Sequence, residues 1–347
     1  MTLHNHHTSK QVNSNKHMVT KGRLLFVSVL LLLFALYANK KLSNEQFLND
    51  KAKAAVNAAA EEWKRFVETT IEQADPLLEF TALTLSNTAL ADNQRWILEN
   101  AFKAYLKHNQ KKLFQVRLLS KEGMELIRVE TNGRFEPTIT PIDKLQDKSH
   151  RDYFLEASHH RLNKGQYYLS DISLNEENGG IDPRNILTLR FVTAIHDQSG
   201  IDYYLVLNAY ANIFLESIDL AVGEFSNHLY ISTAAGYLVK KPNVVSIKED
   251  FSTLQECCSR AWKEIISHPY HDDPLRTELG RESGDLIIHL PITDSQLSTR
   301  VFSTNRSSPE HHHWHSLLRI KREEKADLLS KIYLNMSRSE LNPAGRL

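Results

Sequence analysis

Cysteine is nearly absent from this 347-residue chain: Cys257 and Cys258 are the two, and they are adjacent. Neighbouring cysteines rarely bridge one another because the ring they close is strained, which argues against a disulfide framework and a cysteine-based zinc site. An excess of either charge is also missing, since Lys plus Arg and Asp plus Glu both number 42. A general nucleic-acid binder normally carries a basic surplus, so no nucleic-acid partner is expected. The chain lacks a G-x-S-x-G elbow, a G-x-x-x-x-G-K-[ST] phosphate loop, an H-E-x-x-H pair and a G-x-G-x-x-G turn. The expectation is therefore a non-enzyme with no catalytic residues, cofactor or metal. Long apolar runs are confined to one place, which excludes a multi-span membrane protein. What remains is 24% charged and 41% hydrophobic residues. That composition is globular, at a length that suits two domains or one with appendages.

The single apolar run, Leu24 to Ala38, reads LLFVSVLLLLFALYA and contains one strongly polar residue, Ser28. Its length is at the short end for a span of about 17–25 residues, and Lys21, Arg23, Lys40 and Lys41 can snorkel to the interfaces. No A-x-A site follows, and Asn39-Lys40-Lys41 makes a poor cleavage junction, so an uncleaved signal anchor is expected over 22–41, with 1–21 as a short cytoplasmic tail. Basic residues are nearly balanced on the two sides, so the orientation rests on the sizes of the flanking parts. His4, His6, His7 and His17 in the head are read as scattered tail histidines.

Ser43 with Gln46 resembles a capping box, which predicts a helix starting there. A seam of Val56, Ala59, Trp63, Phe66, Thr70, Gln73, Leu77, Phe80 and Leu83 follows, mostly apolar, with spacing that alternates three and four. Pro76 predicts a kink or a break. A second helical stretch runs from about Asn93 to Asn109, giving a helical spine over 42–110. At Lys111 the period changes. Phe114–Leu119 and Met124–Val129 flank the turn Ser120–Gly123, with Leu118, Leu126 and Val129 expected on one buried face. Gly165–Ser173, Leu187–Ile195 and Tyr203–Ala209 read as further strands, giving an antiparallel sheet of about five strands over 111–215. A second strand–turn–strand unit, His228–Thr233 and Tyr237–Val239, is joined by Leu286–Pro291 and Thr299–Ser303 in a weaker echo over 216–305. Trp314 to Tyr333 reads as an amphipathic helix within a C-terminal segment, 306–347. The fold class expected is α+β.

FQVRLLSKEGMELIRVE, LQDKSHRDYFLEA, GQYYLSDISLNEENGGID and ILTLRFVTAIHDQSGIDYYLVLN resemble, in that order, the extracytoplasmic double Cache (tandem PAS-like) sensor domains of bacterial histidine kinases, diguanylate cyclases and chemoreceptors. The resemblance is good over about 110–210 and looser over 42–109 and 216–305. It implies a long helix leaving the membrane, a membrane-distal module with a pocket, a membrane-proximal module, and a small ligand such as an amino acid, amine or carboxylate. In that family the signal passes through a second span to an output domain, and neither is recognisable in this sequence.

The same resemblance marks the candidate ligand-binding residues. Arg151, Tyr153 and Phe154 look like the family's Arg-x-aromatic-aromatic segment, in which a guanidinium fork takes a carboxylate and aromatic walls exclude water. Tyr168 and Asp171 lie near family Tyr and Asp positions, where the carboxylate would meet an ammonium. Asn208 stands where the amino-acid-binding branch has Asp, and Tyr153 where it usually has Trp; both departures argue against a standard α-amino acid. Arg190, mid-strand, needs a partner, either Asp171 or the ligand. The bland reading of each is core packing or a local cap. His311 and His315 have metal-ligand spacing on a helix but their neighbours do not converge, and His268–Asp273 reads as a solvated loop.

The expected function is a membrane-anchored sensor module, single-pass in the bacterial inner membrane with its bulk in the periplasm. It would bind a small polar or carboxylate ligand and signal through a homodimer or a separate partner. The alternatives are a ligand-free interaction scaffold with a degenerate pocket, and a truncated sensor histidine kinase or diguanylate cyclase.

Overall fold

A computed structural model describes residues 8–85, 90–131, 136–196, 201–233, 238–240, 286–293, 300–302 and 312–341. His4, His6, His7, the cysteine pair, His268–Asp273, His311 and the turns at 197–200 and 234–237 lie outside them. The chain divides into two compact units, Met1–Lys51 and Ala52–Leu347.

Helix α1 runs from Thr8 to Leu85, through Ser43 and through Pro76. The capping box at Ser43 therefore starts nothing, and Pro76 does not end the helix. In the first unit, Phe26 to Leu36 exposes nearly every apolar side chain, with Phe26 at 65% and Phe34 at 70%. Among the described residues α1 is the one helix long and apolar enough to cross a membrane. In the second unit the seam holds as far as Thr70: Val56, Ala59, Trp63, Phe66 and Thr70 are buried, and Leu77 further on, but Gln73, Phe80 and Leu83 are not. Val67, Ile71, Ala74, Leu78 and Thr81 take over the buried stripe. A 3.6-residue turn drifts away from a strict seven-residue repeat, and over this length the drift is visible.

Helix α2 (Asp92–Asn109) precedes β1 (Leu113–Ser120), β2 (Glu125–Glu130) and β3 (Thr138–Ile139). Then come α3 (Asp152–His159), β4 (Tyr167–Leu169), β5 (Ser173–Leu174), β6 (Glu176–Glu177), β7 (Gly180–Ile181), β8 (Leu187–His196), β9 (Ile201–Tyr210) and α4 (Ala211–Val222). Strands β10 (Leu229–Thr233), β11 (Leu238–Lys240), β12 (Leu286–Thr293), β13 (Val301–Phe302) and β14 (His312–Ile320) precede α5 (Lys325–Leu341). The architecture is α+β, as expected.

The first sheet has the order β13-β4-β8-β9-β1-β2-β3, with β5 on β8; the second has β11-β10-β14-β12. Two expectations are corrected here. Trp314–Tyr333 is not one helix: His312–Ile320 is a central strand of the second sheet, paired with β10 and β12. Leu318 and Ile320 repeat at two residues and are fully buried, a strand period that the histidine-rich residues before them mask. Val301–Phe302 does not join the second sheet. It pairs in parallel with β4 at the edge of the first, and beside it Arg300 donates to Asp75 of α1 at 2.8 and 2.6 Å.

The first sheet is buried on both faces, as the unbroken burial along β1 shows. On one face Phe114, Val116, Leu118, Leu205, Leu207 and Phe191 are buried against the helices. Phe66 lies 6.5 Å from Phe191, and Trp63 meets Phe214 edge-on at 4.1 Å. In β2 it is Ile127 that pairs opposite Leu118 and Val129 opposite Val116. The register slips at Leu118/Leu119, which pair with Ile127 and Glu125, so Leu126 is the unpaired residue of a β-bulge and only half-buried.

The opposite face is covered by α3 and the segment before it, which a close approach at Gly123 holds in place. Gly123 has φ +95°, and a Cβ there would stand 2.6 Å from the Cα of Ser149. Its carbonyl accepts from the Lys148 amide at 2.9 Å. Gly123→Ala is expected to cost about 1–2 kcal/mol for the left-handed backbone alone, plus the displacement of residues 148–151. Urea denaturation of the variant beside the parent chain measures it.

Candidate functional site

Cross-strand register assembles the covered face of the first sheet. Asn208 pairs with Gln115 on one side and Arg190 on the other, and Val206 lies between Arg117 and Val192 in the next row. Arg128 faces Arg117 across the β1–β2 pair. The face divides in two. Under α3 it is apolar: Tyr153, Phe154, Tyr168, Val192, Ala194 and Tyr204 form one cluster with neighbouring buried residues, and Phe154 meets Tyr204 edge-on at 5.3 Å. Beside that cluster it is charged.

Arg117 is 1% exposed. Its Nε is 3.1 Å from Oε1 of Glu125, an ion pair without hydrogen-bond alignment. Its Nη1 donates to the Tyr153 hydroxyl at 3.1 Å, and its Nη2 donates to Glu177. Arg128 Nη1 reaches Glu125 and Glu177 at 3.2 Å each, and Lys148 Nζ reaches Glu177 at the same distance. Arg151, the residue before α3, pairs with Glu176. Burial opposes ionisation of Glu177, but Arg117, Lys148 and Arg128 overcome it and hold its pKa at about 2. Burial also lowers the pKa of Lys148, with Arg117 adding to the effect.

Arg190 differs from the other cations. It is 3% exposed and has no carboxylate partner among the described residues. Its Nη1 donates to Ser173 Oγ at 2.8 Å and its Nη2 to the Leu174 carbonyl at 3.5 Å, and its guanidinium stacks 5.2 Å from the Tyr153 ring centre. Its Nε, the Oδ1 of Asn208 and the Oδ1 of Asn175 are buried without hydrogen-bond partners. Burial first, and then Arg117 and Arg151, lower the Arg190 pKa to about 10.

Glu176 and Glu177 enter from the β6–β7 hairpin, a two-stranded sheet of its own. Glu177 pairs with Gly180 around a two-residue loop, Asn178-Gly179. Both loop residues have positive φ, 52° and 77°, the conformation that Asn-Gly favours in a tight hairpin.

Four of the residues singled out from sequence therefore share this charged patch: Arg151, Tyr153, Arg190 and Asn208. Phe154 and Tyr168 lie in the adjoining apolar cluster. Asp171 stands apart. Arg190 turns to Ser173 and Leu174 instead of to it, its Oδ1 has no hydrogen-bond partner, and burial raises its pKa to about 6. Arg117, Glu125, Arg128, Lys148 and Glu177 were not anticipated, because charged residues on strands ordinarily mark a solvated face. The Asn-Gly dipeptide was the available signal for the hairpin.

Residues 77–249 match the family model of the bacterial histidine kinase sensor domain. This stretch is a sensor domain of that family. No curated protein matches the chain. Among solved structures, an extracellular domain described as that of a histidine kinase is 19% identical with a TM-score of 0.57, over 80% of this chain and 94% of its own. A domain of a sensory box/GGDEF family protein from Vibrio parahaemolyticus has the same identity and TM-score, over 80% and 98%. Methyl-accepting chemotaxis protein X follows at 12% and 0.53, over 80% and 99%. At these identities the likeness is one of fold. The charged patch belongs to the matched part of the sensor domain.

Asp171 yields a prediction. Its folded pKa, about 6, is above the ordinary 3.8, so its favourable contribution is complete below 3.8 and is lost as pH rises through 6. Asp171→Asn is expected to be more stable than the parent at pH 8, by on the order of 1–3 kcal/mol. The gap should close towards pH 4, in chemical denaturation at the two pH values.

Proposed function

We propose that the chain is a membrane-anchored sensor, with its sheets on the extracytoplasmic side, that takes a small anionic ligand on the charged face of the first sheet and passes its state to a partner protein. The observation that carries this reading is the surplus of cation on the covered face, four of the five buried and Arg151 half-buried. Arg117, Arg128, Lys148, Arg151 and Arg190 are matched within the patch by Glu125, Glu176 and Glu177. Arg190 has no carboxylate partner among the described residues. A buried guanidinium without an anion is costly, and a carboxylate or similar anion would satisfy it bidentately. The neutral Asn175 and Asn208 offer a ligand ammonium no counter-charge, so an acid suits the site better than an amino acid. The Phe26–Leu36 stretch, with its exposed apolar side chains, supports anchoring in a lipid bilayer.

One observation favours the second reading, a ligand-free scaffold: Glu177 already satisfies three of the cations. The two readings separate on Arg190. Thermal shift of the full chain in detergent against monocarboxylic, dicarboxylic and amino acids is expected to single out acids. Arg190→Met keeps the side-chain length and removes an unmatched charge, so it is expected to leave stability unchanged or higher and to weaken acid binding at least tenfold. Acid binding that survives this change removes Arg190 from the site, and the absence of any acid-induced shift in the parent favours the scaffold.

A further inference from the structure

We infer that the β6–β7 hairpin is a tethered occupant of the sensor site, and that Glu176 and Glu177 stand in for a ligand carrying two acid groups, which must displace them to bind. This rests on the anion-sensor reading above. The hairpin pairs with neither large sheet, and its outer residues Asn178, Gly179, Gly180 and Ile181 are exposed, Ile181 at 56%. Its hold on the domain is polar. Glu177 accepts from Arg117, Arg128 and Lys148 and Glu176 from Arg151. Gln146 holds the turn through Asn178, at 2.8 Å to its side chain and 3.1 Å from its amide. No apolar side chain of the hairpin enters the buried cluster under α3.

Charge accounts for the rest. With the hairpin lifted, Glu125, paired with Arg117 and Arg128, is the one carboxylate of the patch left among the described residues for five cations, four of them buried, and such a set is costly without anions from elsewhere. The hairpin supplies two carboxylates on consecutive residues, one serving Arg151 and the other the Arg117 group. A small dicarboxylate presents the same two charges and can also reach Arg190, which neither glutamate pairs. It gains what the hairpin leaves unmet, and that gain is the differential affinity needed to shift the equilibrium. Because the closed form is populated without ligand, the parent chain binds more weakly than its open form would.

The test is calorimetric titration of the full chain in detergent with succinate, and with acetate as the single-acid control, for the parent and for Glu176→Gln/Glu177→Gln. The double variant is expected to bind succinate at least tenfold more tightly than the parent, and more tightly than it binds acetate. Equal or weaker succinate binding in the variant overturns the tethered occupant while leaving the anion sensor standing. Acetate binding as tight as succinate binding overturns the two-acid ligand. Failure of parent and variant to bind either acid removes both readings. If the variant does not fold, hydrogen–deuterium exchange of the parent decides: saturating succinate is expected to speed exchange over 175–182, and slowed or unchanged exchange there would show that the hairpin is not displaced.

Discussion

A guanidinium sealed inside a sheet at 1% exposure is costly without anions beside it, and Arg117 draws them from two other parts of the chain. Glu125 answers from the neighbouring strand and Glu177 from a hairpin sixty residues later in the chain. Arg128 is then drawn to the same two carboxylates and Lys148 to Glu177. The loop before α3 is placed by the Gly123 contact so that Lys148 and Arg151 arrive at the patch. The sheet can hold this charge because its opposite face is ordinary: Phe66, Phe191, Trp63 and Phe214 build a dry aromatic contact with the helices. One face is thus an ordinary aromatic core and the other holds the buried charge.

Much of this layout could be read in the residues. The apolar run stood out by length alone, and the spine seam was correct to Thr70, beyond which a seven-residue rule no longer follows a 3.6-residue helix. Strands β1, β2, β8 and β9 announced themselves by alternation and β-branched content. The strand His312–Ile320 did not, since its buried Leu318 and Ile320 sit behind a histidine-rich stretch that hides the period. The short pair Val301–Phe302 was seen as a strand, but no local pattern tells which sheet a two-residue strand will join.

Within the site the legible part was chemical and the hidden part topological. Arg151, Tyr153, Arg190 and Asn208 could be singled out by residue type and neighbourhood. That Arg117 and Arg128 face inward, and that a glutamate from a two-residue-loop hairpin reaches them, depends on which face of the sheet is covered. A charged residue alternating along a strand looks the same whether water or another layer lies over it. The unbroken burial of β1 is the fact that separates the two cases, and it exists only once α3 and the hairpin are in place.

The parallel pairing of β13 with β4 bears on how the molecule is made. The edge of the first sheet is closed by residues 301–302, more than a hundred positions after the strand they cover, and Arg300 then clamps that edge to Asp75 on the spine. A chain emerging from synthesis has β4 as an open edge until residues 301–302 have been released, and contacts so distant in sequence form slowly. An open edge invites pairing with another chain. The first sheet is therefore completed by a segment that follows three strands of the second, although the charged site lies on the first.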